Sequence, residues 1–214
     1  MVKARLILVE RAMVDLGKKS EIMGNYSGPR RTCPLLVICL LTVSALHAQT
    51  LTTLASFDGA NGASPSSGMS LVQGLDGKFY GTTEQIGTVF NITPSATLTV
   101  IARPQEPYGG VVLATDQNFY GTTHIGGKYN KGTVFKVTTN GILTTLHNFG
   151  STSGWYPAAA LVQATNGSFY GTAYTGGPHF GGTIFKVTPN GKLTVLYSFV
   201  PKLSAWMGTP LQRR

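Results

Sequence analysis

Residues able to do acid–base chemistry are scarce in this sequence. Beyond residue 48 the carboxylates are Asp58, Asp76, Glu84, Glu106 and Asp116. Glycoside hydrolysis needs two of them facing one bond, and no such pair suggests itself. Asp76 and Asp116 each stand four residues before a tyrosine, Tyr80 and Tyr120, and Asn166 holds the same place before Tyr170. Asp and Asn interchange at turns because either side chain accepts a backbone N–H two residues on. These positions are therefore expected to shape turns. Glu84 and Glu106 fall in a shortened stretch.

Metal and nucleophile chemistry fare no better. His124, His147 and His179 have no Glu or Cys at ligand spacing. No Ser, His and Asp arrangement stands out, although a triad is defined by geometry rather than order. Asp58-Gly59-Ala60-Asn61-Gly62 has a slight likeness to a calcium loop. It lacks the alternating oxygen ligands and terminal glutamate, so a plain turn is expected. Gly126-Gly127 and Gly176-Gly177 could cradle phosphate only ahead of a helix N-terminus, and a strand pattern follows them. No cofactor or metal is expected.

Aromatic residues supply the functional hint. Tyr129, His179 and Phe180 sit in the longer loops, and Trp155-Tyr156 precede Pro157 in a Gly/Ser-rich connection. Rigid rings on loops suit contact with sugar or peptide, so these five are the candidate ligand contacts. Their competing role is to cap a core or fill gaps between units. Tyr80, Tyr120 and Tyr170 occur in every unit and are expected to be structural.

The elements that must position these rings form a repeat. Phe79-Tyr80-Gly81-Thr82-Thr83 recurs at Phe119 to Thr123 and, as Phe-Tyr-Gly-Thr-Ala, at Phe169 to Ala173. Gly87-Thr88-Val89-Phe90 recurs at Gly132 to Phe135 and Gly182 to Phe185. A third phrase runs from Leu143 to Phe149 and from Leu193 to Phe199; Leu51 to Phe57 opens the array with the same pattern, and Leu98 to Ile101 is a degraded copy. Tyr120 and Tyr170 are 50 residues apart and Tyr80 and Tyr120 only 40, because Glu84-Gln85-Ile86 replaces the loop His124 to Lys131 and the stretch after Ile101 is abbreviated.

Each phrase has strand chemistry. In Thr133 to Thr138, Thr133, Phe135 and Val137 share one face. Asn140-Gly141 and Asn190-Gly191 follow such strands, and Asp76-Gly77 and Asn166-Gly167 precede the Phe-Tyr-Gly strands. Asn-Gly supplies the positive φ angles of a tight hairpin. One unit thus reads as four antiparallel strands: Leu161 to Ala164, Phe169 to Ala173, Thr183 to Thr188, and Leu193 to Phe199. Four strands in about 50 residues match a β-propeller blade, which needs stacked neighbours to bury both faces.

The series of Tyr-Gly-Thr-Thr, Gly-Gly and Gly-Thr-Val-Phe-Lys resembles the GloVer tandem-repeat family of exported bacterial proteins. The resemblance covers residues 51–199. It implies export, often with a C-terminal surface anchor, and a propeller-like arrangement; it implies no activity. The expected fold is all-β, a propeller-like array of about three four-stranded antiparallel blades, incomplete beside the four to eight of a closed ring. Open blade edges would invite self-association.

The two ends read differently. Arg30-Arg31, the apolar run Leu35 to Leu46 and a small-residue end at Ala48 have the order of a secretory signal. The run is shorter than the roughly 20 residues of a membrane span, so the membrane enters only during export. Cleavage is expected after Ala48, with Ala45 second. Residues 1–22 read as an over-called start before Met23 or a long n-region, 23–48 as the signal, 49–199 as the repeats, and 200–214 as an irregular tail suggesting truncation. Cys33 and Cys39 both lie in the signal, leaving the mature chain without thiols.

Charge excludes one partner class. The formal net charge of +9 is split between residues 1–48, with seven Lys and Arg against three acids, and the rest, with ten against five. The ten are scattered, with no basic stripe to track phosphates, so nucleic acid is not expected. The reading is a non-enzymatic binding or scaffold module, secreted, at the cell surface or periplasmic, with a glycan or surface protein as partner. Its rivals are a propeller-fold enzyme acting on polysaccharide and a nonfunctional fragment of a longer repeat protein.

Overall fold

A computed structural model describes residues 5–9, 51–65 and 70–201. The expected signal segment 23–48 with both cleavage positions, the cysteines and residues 202–214 of the tail lie outside the described residues. The chain divides into two units, Met1–Leu6 with Leu54–Arg214, and Ile7–Thr53. Of the second, the described residues are the ends of strands β1 (Arg5–Val9) and β2 (Leu51–Ser56). All the sheets that follow belong to the first.

Three antiparallel sheets follow one another along the chain. The first orders β3 (Val72–Gln73), β4 (Phe79–Thr83), β5 (Thr88–Ile92) and β6 (Leu98–Ala102); the second orders β7 (Val111–Leu113), β8 (Phe119–Thr123), β9 (Thr133–Val137) and β10 (Leu143–Asn148). The third contains β11 (Trp155–Pro157), β12 (Val162–Gln163), β13 (Phe169–Thr175), β14 (Thr183–Val187) and β15 (Leu193–Ser198). Here β11 and β12 both pair with the same edge of β13. There is no helix among the described residues. Each sheet contains the four-strand meander that the repeat predicts, with one correction: Trp155 and Tyr156, expected in a Gly/Ser-rich connection, belong to β11, a short fifth strand of the third sheet.

The hairpin turns also differ in detail from expectation. Thr138 N–H donates to Ile142 O and Gly141 N–H to Thr138 O, at 3.1 and 2.9 Å. Only Gly141 takes positive φ, at 89°; Asn140 does not. The turn is therefore a three-residue loop with one left-handed residue, not a two-residue turn with two. Asp76, Asp116 and Asn166 do what their interchange suggests. Their Oδ1 atoms accept the N–H of Lys78, Asn118 and Ser168 at 3.2, 3.1 and 3.0 Å.

The core lies between sheets. Tyr80 and Val89 of the first pack with Val111, Phe119, Phe135 and Val137 of the second. Tyr120, Val134 and Phe149 of the second pack with Leu161, Phe169, Phe185 and Val187 of the third. Two stacked ring pairs repeat across these boundaries, Tyr80 on Phe119 at 4.0 Å and Tyr120 on Phe169 at 4.2 Å. Such pairs stabilise by about 0.5–1.5 kcal/mol beyond their burial. A sheet of this width cannot bury both faces alone, so stacking is what makes the units stable.

The phrase ending in Phe sends its ring into the core of the sheet that follows it. Phe57 meets Phe90 edge-on at 5.1 Å, and Phe149 meets Phe185 likewise at 5.1 Å. Phe199 holds the same place in the third sheet, but it is 43% exposed where Phe149 is 0%. The Phe199 ring is met edge-on by Tyr197 at 4.8 Å.

Candidate functional site

The candidate rings are carried by two kinds of connection that meet at one end of the sheets. The β8–β9 loop is shaped by Gly126 N–H donating to Asn130 Oδ1 at 2.9 Å and Asn130 N–H to Gly127 O at 3.2 Å. In the β13–β14 loop, Phe180 N–H donates to Gly177 O at 3.1 Å. Asn130 and Phe180 both have positive φ, 52° and 62°. The loops thus match residue for residue, which puts Tyr129 and His179 at the same tip position, both exposed.

The second connection leads into β11. Gly62-Ala63-Ser64-Pro65 and Gly154-Trp155-Tyr156-Pro157 are equivalent, and Ser64 and Tyr156 share a positive φ of 52° and 60°. Because this backbone recurs with small side chains, it is architecture rather than strain kept for function. The rings at 155 and 156 are the addition. Trp155 lies flat on Gly176, where a Cβ would come within 2.7 Å of the indole Cγ.

Lys131 joins the two connections. Its carbonyl accepts the Tyr156 N–H at 2.9 Å, and its Nζ donates to the Tyr156 hydroxyl at 2.7 Å. The same Nζ stands 4.6 Å from the Trp155 ring and 4.8 Å from the Tyr156 ring. An ammonium over a ring face is attracted by the ring quadrupole, by about 0.5–2 kcal/mol as water is excluded. The cluster continues through ring contacts, from Tyr156 to His124 at 5.1 Å and from His124 to Tyr108 at 4.6 Å.

Beside this cluster is an open groove of about 550 Å³, lined by Tyr129, Lys131, His147, Asn148, Trp155 and the run Gly150 to Ser153. Tyr129, at 54% exposure, forms one wall. His147 has its Nε2 buried without a partner among the described residues, and burial holds its pKa below the usual imidazole value. A smaller hollow of about 350 Å³ opens among the turns at Asp76, Gln117 and Asn140. Its carboxylate, Asp76, already accepts bonds from Tyr80 and Lys78.

Of the five candidates, the structure gathers Tyr129, Trp155 and Tyr156 around Lys131 and the groove. Phe180 meets the Trp155 ring edge-on at 6.2 Å and is 62% exposed. His179 is held apart, its N–H donating to Ser198 Oγ at 3.2 Å. The sequence alone singles out neither Lys131 nor Tyr108 for a site, and it offers His124 and His147 only as metal ligands, to be set aside. One signal could have found the first: Lys131 stands where the third unit has Gly181, just as Trp155 and Tyr156 stand where the first has Ala63 and Ser64. Residues that break a repeat are released from what every unit needs.

No group of three or more His, Cys, Asp or Glu side chains converges among the described residues. Of the other acidic positions, Glu84 accepts a hydrogen bond from the Tyr108 hydroxyl and Asp58 closes a turn. Asp58 Oδ1 accepts Asn61 N–H at 3.1 Å while Asn61 Oδ1 accepts Asp58 N–H at 3.0 Å, a closed turn.

The sequence pattern of the Gloeobacter/Verrucomicrobia repeat matches residues 87–213. No curated protein matches the chain. Among solved structures, a catalytically inactive H270A virginiamycin B lyase from Staphylococcus aureus, crystallised with quinupristin, is 17% identical with a TM-score of 0.51, over 74% of this chain and 48% of that one. XC5397, a gluconolactonase from Xanthomonas campestris, gives 14% and 0.46 over 65% and 49% of the two chains. The chain therefore spans about half the length of the structures it matches. At such identity the likeness shows the fold, a β-propeller-like array, and nothing of the chemistry.

Proposed function

The chain belongs to the Gloeobacter/Verrucomicrobia repeat family, and from that premise we propose that it is an exported, non-enzymatic binding module of the cell surface or its surroundings. The observation behind this reading is the Tyr129–Lys131–Trp155–Tyr156 cluster beside an open groove. Flat rings set on a rigid sheet end can stack on a sugar face, and the Lys131 ammonium and the hydroxyls of Ser151 and Thr152 can meet its oxygens. A glycan is the partner that such a surface suits best. Export is supported by the apolar run Leu35 to Leu46 behind Arg30-Arg31.

A panel of immobilised glycans, read with the full chain and with Trp155→Ala, tests the binding role. Capture that falls with the variant supports it. Equal capture by both moves the site elsewhere, and turnover of any glycan replaces the reading with that of an enzyme. Intact mass of the protein recovered from the culture medium tests export, with cleavage after Ala48 expected.

A scaffold role is favoured by a separate observation, the partly exposed Phe199 beside the last strand, β15. There a second copy of the chain would meet an open sheet. Light scattering across a dilution series decides this, and a monomer at every concentration removes it.

A further inference from the structure

From Gln117 to Pro201 the sequence carries five lysines and no Asp or Glu. Every residue lining the larger groove falls within that stretch. Lys136 is offset by Asp116, whose Oδ2 lies 3.5 Å away. Lys128 and Lys131 have no carboxylate at ion-pair distance among the described residues. Instead both are turned onto rings, Lys128 over Tyr129 at 5.2 Å and Lys131 over Trp155 at 4.6 Å. A lysine ammonium has three donors, and Lys131 gives one to the Tyr156 hydroxyl. It reaches the groove wall with donors left to give.

Resting on the glycan reading above, we infer that this groove takes an acidic polysaccharide, a uronate-bearing chain whose carboxylate binds Lys131 while a neighbouring sugar ring stacks on Tyr129 or Trp155. The chemistry fits in two ways. A cation held in place by rings on one side is preorganised for an anion on the other, which lowers the ordering cost of binding. With no acid among the residues that line it, the groove offers an approaching carboxylate attraction at Lys131. Glu84 and Glu106 stand by Tyr108 at the other end of the ring cluster. The surroundings then separate sugar from nucleic acid. One or two cations flanked by Ser151, Thr152 and Asn148 suit a carboxylate amid hydroxyls, whereas phosphates in a row call for a row of cations.

The test is calorimetry on the full chain with three probes: oligogalacturonate, the neutral oligogalactan of matching length, and single-stranded DNA. Lys131→Met keeps the stem and removes the charge, Lys131→Arg restores charge, and Lys186→Met is a control outside the groove. Expected is binding of oligogalacturonate that weakens with added salt. Lys131→Met should reduce it at least about tenfold, the loss of one charge-assisted hydrogen bond. The Arg variant and the Lys186 control should keep it. Circular dichroism of Lys131→Met checks that the fold is intact, and recovery in Lys131→Arg excludes a merely structural role.

Equal binding of galactan, or no change in Lys131→Met, overturns the acidic ligand and leaves a neutral glycan site. Tighter binding of DNA overturns it in favour of nucleic acid. Failure of both sugars removes the glycan reading along with this inference.

Discussion

Gly81 faces Phe90 across the β4–β5 ladder, and a Cβ on Gly81 would stand 2.8 Å from the phenylalanine Cζ. The pair recurs as Gly121 with Phe135 and Gly171 with Phe185, each at 2.7 Å. The Phe-Tyr-Gly and Gly-Thr-Val-Phe phrases are thus two halves of one contact: the glycine leaves a hollow and the ring fills it. None of the three glycines has positive φ, so what excludes a side chain is space.

Gly121→Ala is expected to destabilise the fold by about 1–3 kcal/mol, the usual cost of overpacking a closed core. The Gly110 carbonyl, 2.9 Å from the added Cβ, blocks the other way out. Adding Phe135→Leu should recover part of the loss. Urea midpoints of the two variants measure both, and a neutral Gly121→Ala would mean that the ring swings aside freely.

This coupling shows what the sequence made legible. Strand chemistry, unit length and unit order were readable because every copy must satisfy the same packing. So was the structural role of Tyr80 and Tyr120. Strand β11 was not readable, because three residues ending in Pro157 have no periodicity and become a strand only by lying along β13. The site was half legible. Rings in loops stood out by type, but Lys131 gains meaning only from Trp155 and Tyr156, more than 20 residues away in the sequence.

The tyrosine hydroxyls predict a response to alkali. Tyr80 donates to Asp76 at 2.9 Å and Tyr120 to Asp116 at 2.8 Å. Burial, then the bond to the carboxylate and its charge, push the Tyr80 phenol up to about 12 and raise that of Tyr120 as well. The folded state therefore holds these protons after an unfolded chain has released them. Stability is fully present below pH 10 and is lost as pH rises through about 12. Tyr80→Phe with Tyr120→Phe should flatten that decline, as read from thermal midpoints between pH 9 and pH 12. An unchanged slope would assign the alkaline loss to other groups.

Ala96 offers a gain. It has φ of 69° at the position that Gly141 and Gly191 occupy in the later units, at 89° and 88°. A left-handed residue with a Cβ costs about 1–2 kcal/mol, partly offset because glycine is freer when unfolded. Ala96→Gly is thus expected to stabilise the protein by about 0.5–1 kcal/mol, visible as a higher urea midpoint at constant slope. A loss would mean that the Ala96 side chain has a packing role.

Paired hydroxyls at the ends of the ladders predict a loss. Thr123 Oγ1 lies 2.9 Å from Thr133 Oγ1 and also accepts the Thr133 N–H at 3.0 Å. Both side chains are buried. Thr123→Val keeps the shape but leaves a buried N–H and a buried hydroxyl unpaired, at about 1–3 kcal/mol. The third unit shows the alternative, because Ala173 replaces the first threonine and Thr183 donates to Ser153 O at 2.8 Å. The variant should therefore melt lower than wild type, and hydrogen exchange at the Thr133 amide should speed up. Unchanged exchange would mean that water has taken the vacated place.

His147 sets the response to acid at the groove. Burial lowers its pKa from the ordinary 6.5, and its Nε2 has no described partner to welcome a proton. The unfolded chain binds that proton first as pH falls, so the histidine's contribution is intact above 6.5 and shrinks below it until the folded pKa is passed. His147→Phe removes the titration and keeps a ring against Phe149, which His147 meets edge-on at 5.4 Å. Wild type should lose more stability than this variant between pH 7.5 and pH 5, by urea denaturation at each pH. Equal losses would mean that the imidazole finds a proton acceptor when the groove opens to water.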